Sequence, residues 1–431
     1  MPCYWLKNRI SQEIKMIYRV EALSYSCLRY IKQELQPFQI LVGPNATGKS
    51  TFLDIIAFIS DLIHEGLNYA VRTRATSLEE LFWKGEGNRF ELAIEIKIPE
   101  GLVQKSGNGR YASCRYEVTI GRNSEKEIVI LAETLWLKGR NSDISEDIPD
   151  QIDIFPVETT LPLSLAKKGR DWRKVVNKTE AGNDYFRSER TEWNNIFKIG
   201  PLKSALANLP EDEEKFPIST WLKRILMENI QQISLNSLKM RVPASPLRGK
   251  RWFAPDGSNI PLIVKSLKEE HPGRFSQWIR HIQTVLTDLS DIQVFERPED
   301  KHLYLVGVYE SGVRVPSWLL SDGTLRLLAL TLLAYIPSIN QIYLIEEPEN
   351  GIHPRAAEAV YQSLSSIYEA QVFLATHSPV ILGIAQPKDI LCFAKNPSGS
   401  VAVIAGTKHP GLRNWQGSPN LSVLYASGVL G

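Results

Sequence analysis

The stretch that most constrains this chain is residues 40–51, Ile-Leu-Val-Gly-Pro-Asn-Ala-Thr-Gly-Lys-Ser-Thr. Gly43, Gly48, Lys49 and Ser50 satisfy the phosphate-loop pattern G-x-x-x-x-G-K-[ST]. The flanks agree with it: Phe38–Val42 reads as a short buried strand, Thr51–His64 has the apolar spacing of a helix, and Gly66 is a suitable stop. A loop between such a strand and helix turns successive backbone N–H groups inward, and the helix N-terminus adds partial positive charge. The candidate triphosphate cradle is therefore Gly43, Pro44, Asn45, Ala46, Thr47, Gly48, Lys49, Ser50 and Thr51. Lys49 is expected to reach the β and γ phosphates, and Ser50 to ligate Mg²⁺. Glycine is expected at positions 43 and 48 because a Cβ there would hold the phosphates off the backbone.

Composition narrows the setting. The four cysteines, Cys3, Cys27, Cys114 and Cys392, are widely scattered, which argues against a disulfide framework or a zinc site and for a reducing compartment. No apolar stretch approaches the ~18 residues of a membrane span. Leu325–Ile336 comes nearest, but it is short and contains Arg326, so a buried helix is the better reading. The N-terminus carries Lys7, Arg9 and Lys15 with no apolar core behind them, so no secretory signal is read there. The expectation is a soluble, cytoplasmic protein with no membrane partner.

Along the chain, two strands are predicted from Ile17, feeding the strand before the phosphate loop. Phe90–Ile98 alternates as a strand with one wet face, and Arg115–Ile120 and Ile128–Leu137 read as further strands of an antiparallel layer. Residues 160–251 hold 18 Lys/Arg against 10 Asp/Glu, a local charge of +8 in a chain whose net charge is +2. Clusters stand at Lys167, Lys168, Arg170, Arg173 and Lys174, and at Arg248, Lys250 and Arg251, with Trp172 and Trp252 among them. Two readings stand side by side: a surface for the phosphates of DNA or RNA, or a solvated helix face with two anchoring tryptophans. The domain expectation is an N-terminal lobe over 1–139, a basic, mostly helical insertion over 140–250, and a C-terminal lobe over 251–431.

The C-terminal lobe repeats the strand-then-polar pattern twice. Ile342–Ile345 is a buried strand ending in Glu346 and Glu347, and ligands of open α/β sheets bind at that edge. Glu346 is the candidate for holding Mg²⁺ through water, and Glu347 for orienting and deprotonating the attacking water. Val372–Ser378 is a second apolar strand ending in Thr-His-Ser, where His377 is either a γ-phosphate sensor or a structural histidine. Ser321, Asp322, Gly323 and Thr324 open a strongly apolar helix; alone they are equally a phosphate-facing helix start and a plain N-cap.

In this order, the phosphate loop, Ser-Asp-Gly-Thr, Glu-Glu-Pro-Glu with Gly-Ile-His-Pro, and Thr-His-Ser resemble the ABC-type ATPases of the SMC/RecF branch. More narrowly, the chain resembles the AAA ATPases of the overcoming-lysogenization-defect (OLD-like) type found in anti-phage systems. Asp256-Gly257-Ser258-Asn259 and the ending Leu424-Tyr425-Ala426-Ser427-Gly428 resemble that group as well. The likeness covers roughly residues 17–137 and 250–430 and leaves the basic middle unassigned. It implies an α/β fold, an ABC-type P-loop NTPase head of mixed sheet, flanking helices and an antiparallel layer, with a largely helical insertion.

It further implies an ATPase that uses ATP and Mg²⁺ and closes as a homodimer, extendable to higher oligomers. Each site would pair one chain's Gly43, Lys49, Ser50, Glu346, Glu347 and His377 with Ser321 and Gly323 of the other, with Asn350 near the seam. A separately encoded effector, a nuclease by the same resemblance, would be the partner in anti-phage defence; the alternative is a RecF-like repair or recombination clamp on DNA. Glu346 stands where the family usually has Asp, Asp322 stands where transporter signatures carry Gly, and no glutamine between Thr51 and Val103 offers a Q-loop. The chain is too short after Ser378 for the Toprim domain of the OLD nucleases, so none is expected.

Overall fold

The computed structural model describes residues 16–105, 109–139, 161–169, 171–180, 182, 184–247, 252–337, 340–396, 398–409, 412 and 421–428. The chain divides into two compact units, one drawn from Lys15–Ile230 and Pro387–Pro419, the other from Gln231–Gln386 and Asn420–Ser427.

The first unit begins with β1 (Ile17–Tyr25), β2 (Leu28–Glu34) and β3 (Phe38–Val42), then α1 (Lys49–His64) and α2 (Leu67–Arg72). It continues through β4 (Arg89–Lys97), α3 (Glu100–Lys105), β5 (Tyr111–Arg122), β6 (Ile128–Gly139), β7 (Trp172–Thr179), β8 (Tyr185–Arg187), β9 (Asn194–Ile196) and α4 (Pro217–Glu228). The second unit holds β10 (Ile230–Ile233) from its second residue on, α5 (Ser237–Arg241), α6 (Ile260–Glu270), α7 (Pro272–Gln283), β11 (Leu289–Glu296), β12 (Leu303–Tyr309) and β13 (Arg314–Pro316). Then come α8 (Asp322–Leu332), β14 (Gln341–Glu346), α9 (Pro354–Ser365), β15 (Ala370–Ala375) and α10 (Pro379–Ile384). The chain returns to the first unit for β16 (Ile390–Lys395) and β17 (Val401–Ala405), and to the second for α11 (Leu421–Ala426).

In the first unit an eight-stranded sheet runs β2-β1-β4-β5-β6-β7-β8-β9, antiparallel throughout its recorded pairings. A second group follows the order β3-β16-β17, with β3 and β16 parallel in the register Ile40↔Ile390 to Val42↔Cys392. In the second unit β10, β14 and β15 are neighbours, β14 and β15 running parallel, and β11-β12-β13 form a small antiparallel sheet. Each parallel strand is a run of buried side chains, as a strand covered on both faces must be.

The eight-stranded sheet corrects two expectations. The described part of the insertion expected to be mostly helical over 140–250 is not so: β7, β8 and β9 extend the sheet, and only α4 and α5 are helices there among the described residues. The reason lies in Trp172–Thr179, where a tryptophan and two adjacent valines favour a pleated strand over a helix. The supposedly wet face of β4 is also covered. Phe90, at the start of that strand, packs by one face of β4 against Tyr25 and Phe58, while Glu91 and Glu95, on the other, are buried.

Cross-strand register explains how those acids are tolerated. Arg19, Glu95, Arg115, Trp136 and Lys174 stand opposite one another on five successive strands. Arg115, fully buried, donates to Glu21 (2.8 Å), Glu95 (2.9 Å) and Glu117 (2.5 Å), while Lys138 reaches Glu95 at 2.7 Å. Tyr18 also donates to Glu95. Over this network lies the 161–169 segment, whose Leu165 N–H donates to Glu91 at 2.6 Å and whose carbonyl accepts from Arg115 at 3.1 Å.

Burial opposes ionisation of Glu95, but the charges of Arg115, Lys138 and Arg19 outweigh it and bring its carboxyl down to about 2. Because the folded value lies below the unfolded one, its contribution is complete above the ordinary carboxylate range and disappears as pH falls toward 2. Glu95→Gln strands Arg115 and Lys138 without a full counter-charge and should cost about 3 kcal/mol at pH 7. Urea titrations at pH 7 and pH 3 should show the wild-type–mutant gap shrinking at the lower pH; a gap that stays constant contradicts this electrostatic account.

Candidate functional site

The candidate residues fall into two sets, one in each unit. In the first unit, β3 delivers the chain to Gly43, whose φ of 149° and crowded surroundings exclude other residues. A Cβ built there would stand 2.2 Å from the carbonyl oxygen of Phe393, the residue after the paired part of β16. This differs from the reason read in the sequence, since glycine is required here for close approach of protein backbone. Ala46 adopts a left-handed φ of 60°, and Gly48 precedes α1 at φ 90°, so the loop coils tightly over Pro44, Asn45 and Ala46, all exposed. Thr47 ties the coil by donating to the Pro44 carbonyl at 2.8 Å. Lys49 is buried and donates from Nζ to the carbonyls of Gly43 and Pro44, both at 2.8 Å. The ammonium is thus held inside its own loop, within reach of a ligand that would enter the coil.

Ser50 is exposed on the first turn of α1, and Thr51 accepts a hydrogen bond from Cys27 at 3.3 Å. Sixteen residues long and with no acid in its first turn, α1 leaves the partial positive charge of its N-terminus uncancelled. Phe52 stacks edge-on against Phe393 at 5.5 Å and so fixes the helix on the same strand that confines Gly43.

In the second unit, β14 and β15 run in parallel from Gln341↔Ala370 to Glu346↔Ala375. Glu346 is the first exposed residue of β14. Glu347 follows with φ 45°, a left-handed conformation that costs a glutamate on the order of 1 kcal/mol, and is pinned there by its N–H donating to the Ala375 carbonyl at 2.8 Å. Glu349 then reaches across to β15's end, accepting from Thr376 Oγ1 at 2.7 Å and from the His377 N–H at 3.0 Å. His377 Nδ1 lies 2.7 Å from the hydroxyl of Tyr425 on α11. Glu346, Glu347 and His377 are therefore gathered at one edge, with Glu349 as the tie.

Ser321 is the N-cap of α8 and accepts from the Thr324 N–H at 3.1 Å. A Cβ on Gly323 would come within 2.9 Å of the Gly351 carbonyl, so the helix start sits tightly against the turn that follows Glu347. Asp322 pairs with Arg241 at 2.5 Å, and the same guanidinium donates to the Leu320 carbonyl at 2.9 Å. Arg241 belongs to no motif, and Glu349 entered the sequence reading only as the last acid of Glu-Glu-Pro-Glu. Tyr425 entered it only within the ending Leu424-Tyr425-Ala426-Ser427-Gly428, for its family likeness.

The described part of the basic segment holds strand β7 where a helix face was one reading, and several of its cations are engaged by protein groups. Arg173 donates to the carbonyls of Ser188 and Thr191 and pairs with Glu192, Lys174 donates to Asn177, and Lys167 lies 3.6 Å from Glu21. Trp172 packs edge-on to Trp136 at 5.9 Å. Arg170, Arg248, Lys250 and Arg251 lie outside the described residues. No helix among the described residues is long and apolar enough to cross a membrane.

The family model described as "AAA domain, putative AbiEii toxin, Type IV TA system" matches residues 38–383. Old nuclease of Escherichia phage P2 is 25% identical over an alignment of 414 positions that covers 90% of this chain and 61% of that protein. The chain thus spans less than two thirds of that relative's length. The SmcHead bound to the C-winged helix domain of ScpA superposes with a TM-score of 0.50 at 15% identity, over 90% of this chain and 97% of that one. This likeness shows the fold, an ABC-type P-loop NTPase head.

Gly43→Ala and Glu347→Gly should move stability in opposite directions. The first places a Cβ against a carbonyl and should lower the melting temperature by several degrees, while the second relieves a left-handed glutamate and should leave the stability equal or higher by up to about 1 kcal/mol. Scanning calorimetry of both variants checks the pair; a stabilised Gly43→Ala would contradict the packing described.

Proposed function

From the premise that the chain belongs to the AAA domain family, its model spanning most of the sequence, we propose that it binds and hydrolyses ATP at sites completed by a second copy. The observation that carries the reading is Glu347, held in a strained conformation at the exposed end of a buried parallel strand in a chain that also carries the phosphate loop. Strain of this kind is kept where geometry matters more than stability.

Lys49 would exchange the Gly43 and Pro44 carbonyls for the β and γ phosphates, a stronger, charge-assisted partner. Ser50 offers a hydroxyl and Glu346 a carboxylate, each exposed and each a hard oxygen donor of the kind Mg²⁺ takes, and these are its proposed ligands. When bound, Mg²⁺ neutralises charge on the β and γ oxygens. Glu347 orients the attacking water and takes its proton, and His377 donates to the γ-phosphate. Ser321 and Gly323, with Asn350 nearby, close on the nucleotide held by the other copy. Arg241 pairs the carboxylate of Asp322, which would otherwise repel that phosphate.

Likeness to a protein named a nuclease supports a role in controlling a nuclease effector, and membership of a family that includes putative toxins of Type IV TA systems supports a place among toxin-type defence systems. Loss of phage protection in cells carrying Lys49→Ala, with protection in wild type, is the expected outcome. Equal protection would contradict it.

Glu347→Gln should lose roughly 10²–10⁴ in turnover while keeping its ATP affinity. The amide also removes negative charge facing the γ-phosphate, so the ATP-bound dimer should live longer. Lys49→Ala should neither bind tightly nor dimerise, and Ser321→Arg should bind ATP yet fail to close. Turnover assays with light scattering, with and without ATP, read all three. Wild-type turnover in Glu347→Gln, or full activity in Ser321→Arg, contradicts the assignment.

A further inference from the structure

We propose that Tyr425 is a positioning residue for ATP turnover: its phenol donates to Nδ1 of His377 and so fixes the ring with Nε2–H as the outward donor. This rests on the reading of His377 as the γ-phosphate donor. Two independent contacts hold that histidine. Its backbone N–H is fixed by Glu349 at 3.0 Å, and its ring is met by the Tyr425 hydroxyl at 2.7 Å, with the two rings 6.3 Å apart and inclined by 54°. An imidazole that accepts at one nitrogen must carry its proton on the other, so the phenol selects the tautomer as well as the rotamer.

The placement of Tyr425 suits this task. α11 lies against α10, where the nearest approach to Gly383 is Ser422, and α10 starts at Ser378, directly after the histidine. α11 therefore meets this segment at two places, by packing on α10 and by the Tyr425 hydroxyl at His377. Burial, reinforced by the negative charge of Glu349, raises the phenol above its ordinary value, so it keeps its proton and remains a donor at neutral pH. Glu349 joins both halves of the arrangement: one carboxylate oxygen organises Thr376 and His377, while the other is buried with no hydrogen-bond partner among the described residues. Nothing in the catalytic pattern of acid, lysine and histidine requires a tyrosine from so late in the chain. Its function here is to keep a flexible imidazole from flipping or exchanging tautomers.

The test uses the full chain. Tyr425→Phe keeps the ring and removes only the oxygen, so kcat should fall roughly tenfold while KM for ATP stays within about twofold, as expected when one hydrogen bond that orders a donor is lost. Because the tyrosine acts through the histidine, Tyr425→Phe added to His377→Ala should cost nothing more than His377→Ala alone. In ¹⁵N-histidine-labelled wild type, the His377 signal, assigned by its loss in His377→Ala, should show an unprotonated Nδ1 and a protonated Nε2. Wild-type kcat in Tyr425→Phe, additive losses in the double variant, or a protonated Nδ1 in the neutral ring each overturn the proposal and leave the ATPase reading intact. Wild-type turnover in His377→Ala would overturn the reading beneath it and the proposal together. Should Tyr425→Phe fail to fold by circular dichroism, the wild-type nitrogen spectrum alone decides.

Discussion

The phosphate loop can coil where it does because residue 43 has no side chain. A single Cβ would collide with the Phe393 carbonyl at 2.2 Å, and Phe393 is held in β16 by its pairing with Val403 of β17, directly after the residues that pair with β3. The ring of Phe393 also stacks on Phe52 of α1. One residue of β16 therefore limits both the loop and the helix that opens from it. The two partners are some 350 positions apart, so the cradle is a product of tertiary structure, completed only when the late strand returns to the first unit. Long-range parallel pairing of this kind forms slowly, because loop-closure entropy opposes it before any contact is gained.

The second unit meets a similar geometric demand with different means. Glu347 is bent into a left-handed turn by the Ala375 carbonyl, Glu349 ties the end of β14 to Thr376 and His377, and Gly323 lets α8 approach the same turn closely. Asp322, unusual beside the transporter signatures, sits in an ion pair with Arg241, which answers how a carboxylate is accommodated at that helix start. Proposed hydrolysis would thus depend on Glu347, held through its backbone by β15, and on Glu349, held by the two residues that follow that strand.

Motif and periodicity made the linear parts legible. The β3–loop–α1 unit, the acidic end of β14 and the polar end of β15 are each a short buried strand followed by charged or polar residues, a pattern local enough to read directly. The charge-bearing face of the large sheet was not legible. Alternation in Phe90–Ile98 marks two faces, but only the cross-strand register of Arg19, Glu95 and Arg115 and the covering 161–169 segment decide that the acidic face is dry. The same limit applies to β7, whose lysines and arginine suggested a solvated surface until the carbonyls of Ser188 and Thr191 claimed Arg173. The contacts of Arg241 and Tyr425 were not legible for a further reason: their partners lie 81 and 48 positions away, and no local pattern encodes that distance.

The central claim is that the phosphate loop of one copy and the α8 start of another complete a single ATP site. Mixing Lys49→Ala chains with Ser321→Arg chains tests it most directly, since each variant alone lacks a different half of every site. In a mixed pair, the intact loop of one chain meets the intact helix start of the other, and one complete site forms. Turnover should then reappear at a substantial fraction of wild type, rising with the proportion of mixed pairs. Turnover that stays at the sum of the two inactive proteins, with mixed pairs demonstrably present, would contradict the shared site.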